Sequence, residues 1–246
     1  EKQLGFFNYY RRVFLARRFA RAIQKVADRY DVIHYHGHLP ILANYIPVHV
    51  NFVQTRHDQG SDCLTHTRFR RGAVCRETDP RACAACVAAK PNVIQTALSA
   101  ASVTRWRKAV KRAFQRHKVI FVSQFLRDNL DRTMGRLNWL GIHVVHNFVD
   151  TQVLNAALAD DCKEQVALDI FMAARVDNAK GVGAFLAAAE VRLPPGRRVT
   201  VAGDGPDLAA LQQRFKGSWV AFLGWIPYRD VIKLIARAPT APAGWR

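Results

Sequence analysis

Apolar positions along this chain follow two periods in turn. Short apolar runs of strand length, at residues 31–37, 48–55, 119–123, 167–173, 197–202 and 219–223, are separated by stretches whose apolar residues return at helical spacing. In residues 8–30, Val13, Ala16, Ala20, Ile23, Ala27 and Tyr30 form one stripe. Arg11, Arg18, Lys25 and Arg29 occupy another face, with Arg12, Arg17 and Arg21 nearby. Residues 101–118 repeat this design, with Val103, Trp106, Val110, Ala113 and Phe114 apolar and Arg105, Arg107, Lys108, Lys111, Arg112 and Arg116 elsewhere. Residues 124–134 read as a helix capped by Ser123. Further helices are expected at 182–191, 207–215 and 227–238, the last with Val231, Leu234 and Ile235 inward. Strands alternating with helices predict an α/β fold whose sheets are parallel and whose crossovers are right-handed.

The βαβ unit at 171–206 gathers chemistry at one end. Its first strand runs into Arg175, Lys180-Gly181 opens the helix, and the second strand runs into Gly203-Asp204-Gly205-Pro206. Ligands of such sheets sit outside the carboxyl ends of the strands. Two cations, a helix N-terminus and a glycine turn converge there, which suits a phosphorylated ligand. The plain alternative is a generic α/β domain with a charged loop. A second constellation is Cys63, Cys75, Cys83 and Cys86, spaced C-x11-C-x7-C-x2-C in a segment rich in Arg, Thr and Asp. Four thiolates complete a tetrahedral zinc site, which would be structural because no position stays open for substrate. Unliganded thiols in a reducing compartment are the alternative.

Composition narrows the partners. The 246 residues suffice for one large or two small domains, and the formal net charge of +18 implies anionic partners: nucleic acid, an anionic lipid surface or a phosphorylated substrate. Two basic helices fit reversible attachment to a bilayer, or simply solvated surfaces. No apolar run reaches membrane-spanning length, and residues 1–12 lack the apolar segment of a signal peptide. Five cysteines, an odd number, argue against a secreted disulfide framework. The expected location is cytoplasmic, peripheral to the inner face of the plasma membrane, and the absent initiator Met suggests a trimmed N-terminus.

The motifs occur in the order found in glycosyltransferase family 4, of the GT-B fold, and the resemblance covers nearly the whole chain. Asp31-Val32-Ile33-His34-Tyr35-His36 resembles that family's Asp-Val-(Val/Ile)-His-x-His, and His57-Asp58 its His-Asp, whose histidine faces the donor sugar. For His34 a hydrogen-bonded core role is preferred. A similar cysteine-bearing insertion follows the His-Asp in some members. His146-Asn147-Phe148-Val149-Asp150 is similar to Asn-Gly-Val-Asp, with Phe148 replacing glycine. Arg175, Lys180-Gly181 and Gly203-Asp204-Gly205-Pro206 match the donor half, with Ala174 in place of a glycine. Phe222-Leu223-Gly224-Trp225 resembles the segment that passes the nucleotide base, where Trp225 stacks on the base or serves as plain core.

The resemblance implies two Rossmann-like domains: 1–150 on the acceptor side, with a cysteine-bearing insertion at about 58–92; a linker at 151–164; and an incomplete donor domain at 165–246. It further implies a retaining glycosyltransferase that moves a sugar from a UDP- or GDP-sugar to a glycan or lipid-linked acceptor in cell-surface polysaccharide synthesis. His57, Arg175 and Lys180 are its candidate catalytic residues. Gly181, Gly203, Gly205, Pro206 and Trp225 join Arg175 and Lys180 in donor binding. Two cations already meet the diphosphate charge, so no metal is required for catalysis. The family's first strand and glycine-rich loop are missing before Glu1, and its glutamate pair is missing at 241–246. A fragment, inactive alone, is therefore expected. A GT-B nucleotide-sugar epimerase is disfavoured by the Arg-x4-Lys-Gly spacing. The rival of another class is a non-catalytic module for anionic lipid or nucleic acid, although no nucleic-acid partner is expected.

Overall fold

The amino-terminal stripe folds as α1 (Phe6–Gln24), and Ala27–Arg29 continue as a single 3-10 turn. Ala16 and Ala20 are buried, with Val13 and Ile23 packed beside them. Tyr30, expected on the same stripe, is 64% exposed because the chain has left α-helical register by then. The computed structural model describes residues 6–70, 73–87, 92–136, 141–159, 169–217 and 219–238. It divides into two units, Glu1–Asn147 and Phe148–Arg246.

The first unit carries β1 (Ile33–His36) and β2 (Phe52–Arg56), then the small antiparallel hairpin β3 (Phe69–Arg70) and β4 (Ala73–Val74). α2 (Pro80–Val87) and α3 (Val93–Arg116) follow, then β5 (Lys118–Phe121), α4 (Gln124–Met134) and β6 (Ile142–Val144). The sheet order is β1-β2-β5-β6, parallel throughout, with Val53 opposite Lys118 and Val119 opposite Ile142. All four carboxyl ends therefore lie along one edge. α3 begins well before residue 101 because Asn92 caps it, its side chain accepting the Gln95 N–H at 2.9 Å. Trp106, Val110 and Phe114 of α3 share the core with Phe52, Val119, Phe121, Ile41 and Leu42. Ser123 caps α4, accepting from the Leu126 N–H at 3.3 Å.

α3 departs from its expected solvated face. Arg107 is buried and donates to the carbonyls of Thr78 and Asp62 at 2.5 and 3.1 Å. The Lys111 ammonium donates to the Met134 carbonyl at 2.9 Å. A helical-wheel pattern cannot show that an insertion folds back over one charged face and supplies carbonyls to it.

The second unit holds α5 (Thr151–Ala159), β7 (Ile170–Ala173), α6 (Val182–Arg192), β8 (Val199–Ala202), α7 (Leu208–Arg214), β9 (Val220–Gly224) and α8 (Tyr228–Arg237). β7, β8 and β9 form a second parallel sheet in sequence order. α5 occupies the stretch read as a linker: Asp150 accepts from the Gln152 and Val153 N–H groups at 2.9 and 3.2 Å, and α5 packs on α8 and buries Ala157. In α8 the inward residue is Ile232, whereas Ile235 is 57% exposed. The helix is turned about one position from its expected phase. Residues 160–168 lie outside the described residues, and with them the start of the expected 167–173 strand and the end of the expected linker. Residues 239–246 lie outside them too.

Candidate functional site

The carboxyl ends of β7–β9 open on a cleft of about 370 Å³. Arg175, Gly203, Asp204, Trp225 and Ile226 line it with Ala173, Ala174 and Ala202. Trp225 is 74% exposed, which removes the core alternative and leaves its ring face free to stack. The turn that begins at Gly203 folds tightly against the end of β7. A Cβ on Gly203 would stand 1.8 Å from the Ala174 carbonyl oxygen, and its φ is +139°. Val176 donates to the Asp204 carbonyl at 2.9 Å, and Asp207 donates to the Val176 carbonyl at 3.2 Å. The glycine turn thus has a packing reason of its own, beside any phosphate it meets.

Arg175 and Lys180 are organised by one carboxylate. Arg175 Nε donates to Asp177 Oδ2 at 2.6 Å, and a second guanidinium nitrogen pairs with the same oxygen. Asp177 Oδ1 accepts the Lys180 N–H at 2.9 Å and so caps the 3-10 turn Asn178–Lys180. Burial pushes the Asp177 carboxyl up, but the bonds from the Lys180 N–H and Arg175 outweigh it and hold the group below the usual carboxylate range. A guanidinium has five N–H donors, so pairing with Asp177 leaves others for a ligand. Gly181 follows at φ +73°, the left-handed bend that starts α6, with open space where a Cβ would be. Lys180, Gly181, Gly205 and Pro206 lie in the loops beside the cleft and are not among its lining residues.

At the carboxyl ends of β1 and β2 the first unit gathers histidines. His36 Nδ1 and His57 Nε2 are 2.9 Å apart, close enough to share one proton, and their rings stack at 5.2 Å. His34 bonds Thr55 Oγ1 at 2.7 Å as expected, but it lies on the exposed face of β1 rather than in the core. Asp58, next to His57, accepts the Gly60 N–H at 2.8 Å and contacts His66 Nδ1 at 3.3 Å, His38 Nδ1 at 3.5 Å and an Arg56 nitrogen at 3.8 Å. The bond from His66, with the Gly60 N–H and Arg56, outweighs burial and holds the Asp58 carboxyl well below the usual range. Sequence reasoning named His57 and Asp58, quoted His36 within a strand motif without giving it a role at the site, and missed His38, His66 and Arg56. The His-x-His alternation put His34 and His36 on one face of β1 and was the available signal. No pattern marks Arg56, which is buried and ties the two strand ends by donating to the Gly37 carbonyl at 2.6 Å and to Ser61 Oγ at 3.1 Å.

Two histidines make the fold acid-sensitive. Burial pushes His117 down, and partial desolvation beside its neighbours His36 and His57 does the same for His34. The unfolded chain takes up a proton near the ordinary value of about 6.5, while the folded chain resists it. Stability is therefore present above that value and lost as pH falls below it. Differential scanning fluorimetry should show a lower Tm at about pH 5.5 than at about pH 7.5. His117→Phe should flatten that slope, and an unchanged slope would remove His117 from the explanation.

The four cysteines stand together in the insertion. Cys63 follows β2, Cys75 follows β4, and Cys83 and Cys86 lie one turn apart on α2. All four are free, half-buried and border one cavity of about 30 Å³, with Asp62, Arg68, Arg70 and Glu77. Arg107 donates to Cys83 Sγ at 3.3 Å. Among the described residues the only three His, Cys, Asp or Glu groups with ligand atoms within 4.8 Å of one another are His38, Asp58 and His66, so the sulfurs are not drawn in to ligation distance.

Comparison with known proteins places this geometry. The family model described as Glycosyltransferase Family 4 matches residues 2–153, more than half of the chain. No curated protein matches the chain by sequence. Among solved structures, HepE of Anabaena in complex with UDP superposes with a TM-score of 0.53 at 16% identity, over 89% of this chain and 54% of that one. HepE in complex with UDP and glucose gives 0.53 at 15% identity, over 89% and 53%. The UDP-glucose complex gives 0.51 at 16% identity, over 89% and 54%. At these identities the likeness concerns the fold, and the chain spans about half the length of the structures it matches.

Proposed function

We propose, from the premise that this chain belongs to Glycosyltransferase Family 4, that it serves a retaining transferase of GT-B type. The enzyme moves a hexosyl group from a UDP- or GDP-sugar to a glycan or lipid-linked acceptor in cell-surface polysaccharide synthesis. The observation that carries the reading is the cleft at the carboxyl ends of β7–β9, with Arg175 on one wall and the open ring of Trp225 on another. HepE, of similar fold, is solved with UDP and with UDP-glucose, which supports a nucleotide-sugar donor here.

In this reading Trp225 stacks on the base and Gly203, Gly205 and Pro206 shape the turn beneath the diphosphate. Arg175 and Lys180 hold the diphosphate as it departs, and Gly181 lets the backbone at the start of α6 come close. Charge developing on the leaving group meets preorganised cations, which is where such interactions lower a barrier. No metal is needed for that step. His57, its ring held by His36, is the candidate catalytic residue of the first unit. Trp fluorescence should be quenched on titration with UDP, GDP or their hexose conjugates, and Trp225→Ala should abolish that quench. Absence of any quench, with equal binding of wild type and Trp225→Ala to duplex DNA instead, would overturn the reading.

Attachment to an anionic membrane on the cytoplasmic side belongs to the same proposal. On α1 Phe14 and Phe19 are exposed beside Arg17, Arg18 and Arg21, the amphipathic combination that suits a lipid surface. α3 supports it less, since Arg107 and Lys111 are engaged within the unit. No helix among the described residues is long and apolar enough to cross a membrane. A basic residue near such a surface contributes about 1 kcal/mol, so Arg18→Glu with Arg21→Glu should weaken flotation with anionic vesicles by tenfold or more. Equal flotation on neutral and anionic vesicles would remove the membrane from the reading.

A further inference from the structure

We propose that the insertion between β2 and α3 is a metal-stapled module in which Cys63, Cys75, Cys83 and Cys86 together ligate one zinc ion. The sulfurs come from three separate pieces of chain, a loop, the end of a hairpin and a helix, yet all border the same cavity. That cavity, about 30 Å³, has the volume of a single water-sized guest. Cys83 and Cys86 lie one turn apart on α2 and both border the cavity, the spacing by which a helix usually enters such a site.

The insertion lacks the means to hold itself together by apolar burial. Among the described residues between 59 and 87 the buried side chains are Gln59, Ser61, Asp62, Arg68 and Ala84, which are polar groups and one methyl. Phe69 and Val74, the paired residues of its hairpin, are both more than half exposed, and Leu64 packs against the main core instead. A segment with so little apolar core of its own, fastened to α3 and α4 by polar contacts, gains most from a metal staple. The hairpin is two residues per strand and is marginal by itself.

The surroundings fit a thiolate cluster. Four thiolates around a divalent ion leave two negative charges in excess, and each thiol that ligates gives up its proton to solvent. Arg107 donates to Cys83 Sγ, and Arg68 and Arg70 border the cavity. Arg68 is matched by Asp62, which leaves Arg107 and Arg70 to offset the cluster. Four sulfurs in a closed tetrahedral set select zinc or iron among common ions, and such a site is structural. Because no three sulfurs lie within 4.8 Å of one another, loading must draw them inward around the ion. The nearby His38–Asp58–His66 group is the competing metal site, and the experiment separates the two.

Protein purified without chelator or added metal should contain one zinc per chain by elemental analysis. Its cobalt-substituted form should show sulfur-to-cobalt charge-transfer absorption and the intense visible bands of a tetrahedral ion. Cys83→Ser with Cys86→Ser should bring zinc to background, whereas Cys162→Ser and His38→Ala with His66→Ala should retain it. Should the double serine variant not fold, titration of the wild type with a mercurial should release zinc in proportion to four reacted thiols. Substoichiometric zinc, iron in its place, metal lost from the histidine variant, or disulfides among the four cysteines would each overturn the assignment. None of these readouts depends on transfer activity.

Discussion

On the proposed role in diphosphate binding, Lys180→Ala should lower turnover of the intact transferase by on the order of a hundredfold or more, the cost seen when one preorganised charge donor is removed from a developing anion. Lys180 ends the 3-10 turn Asn178–Lys180, one residue before Gly181 opens α6, at the end of the helix where an anion is favoured. A cation about 4 Å from one phosphate charge gains roughly 4 kcal/mol at an effective dielectric of 20, an upper limit before desolvation. Lys180→Arg rescues only part of the rate, because a planar fork does not replace a compact point charge. Arg175→Ala falls in the same range. Asp177→Ala is the informative companion: it leaves both cations in place but removes the carboxylate that orients the guanidinium and caps the turn. It should lower kcat less than either cation variant. Steady-state transfer kinetics, with folding checked by circular dichroism, decide the matter. Near-normal turnover for both Arg175→Ala and Lys180→Ala would end their assignment to the diphosphate.

Arg68→Ala destabilises the first unit by about 3–5 kcal/mol, as removal of one partner from a buried ion pair does. The Arg68 and Asp62 side chains are 2% and 1% exposed, and the pair is held by a 3.0 Å and a 2.5 Å bond. Arg68 also donates to the Glu77 carbonyl at 2.6 Å and to Thr133, while Thr133 donates to Asp62 at 3.2 Å. One guanidinium thus ties the insertion to α4. At roughly 2–4 °C per kcal/mol for a chain of this size, Tm should fall by about 6–20 °C. Asp62→Asn should cost at least a comparable amount, since it leaves the buried Arg68 guanidinium without its counter-charge and unable to shed its own, whereas an Asp62 stranded by Arg68→Ala can take up a proton. Calorimetry of the two variants checks the order, and a loss below about 1 kcal/mol for Arg68→Ala would show that solvent reaches the pair.

Much of this was legible in the residues. β7, α6, β8 and β9 fall within a few positions of their expected ranges because each is a short apolar run or a helical stripe bounded by Gly, Pro or charge. Ser123 and its helix agree with the structure to the residue. The loops were less legible. α5 sits where a linker was expected, since its alanines carry little period and Asp150, the residue that starts it, belonged to a motif read for another reason. Tyr30 and Ile235 turned outward because stripes extrapolate a helix past the point where the backbone changes pitch or phase. Arg107 was counted with a solvated face and is buried beneath the insertion.

By itself the sequence determined which residue types arrive at the carboxyl ends of the strands: Arg175, Lys180, the turn from Gly203, and His57 with Asp58. That follows from local rules, because a strand's length and the glycine after it place its last residue at the sheet edge whatever the rest of the chain does. Only the tertiary structure decided which of these meet. His36 touches His57 because β1 pairs with β2 in one register, His36 opposite Thr55, and a slip of one residue would turn His36 to the other face. Asp58 meets His38 and His66 from both sides, and Arg68 meets Thr133 across a long stretch of chain. Partners so far apart in sequence leave no period to read; for Arg68 the meeting is selected by burial, where an unpaired charge would cost several kcal/mol.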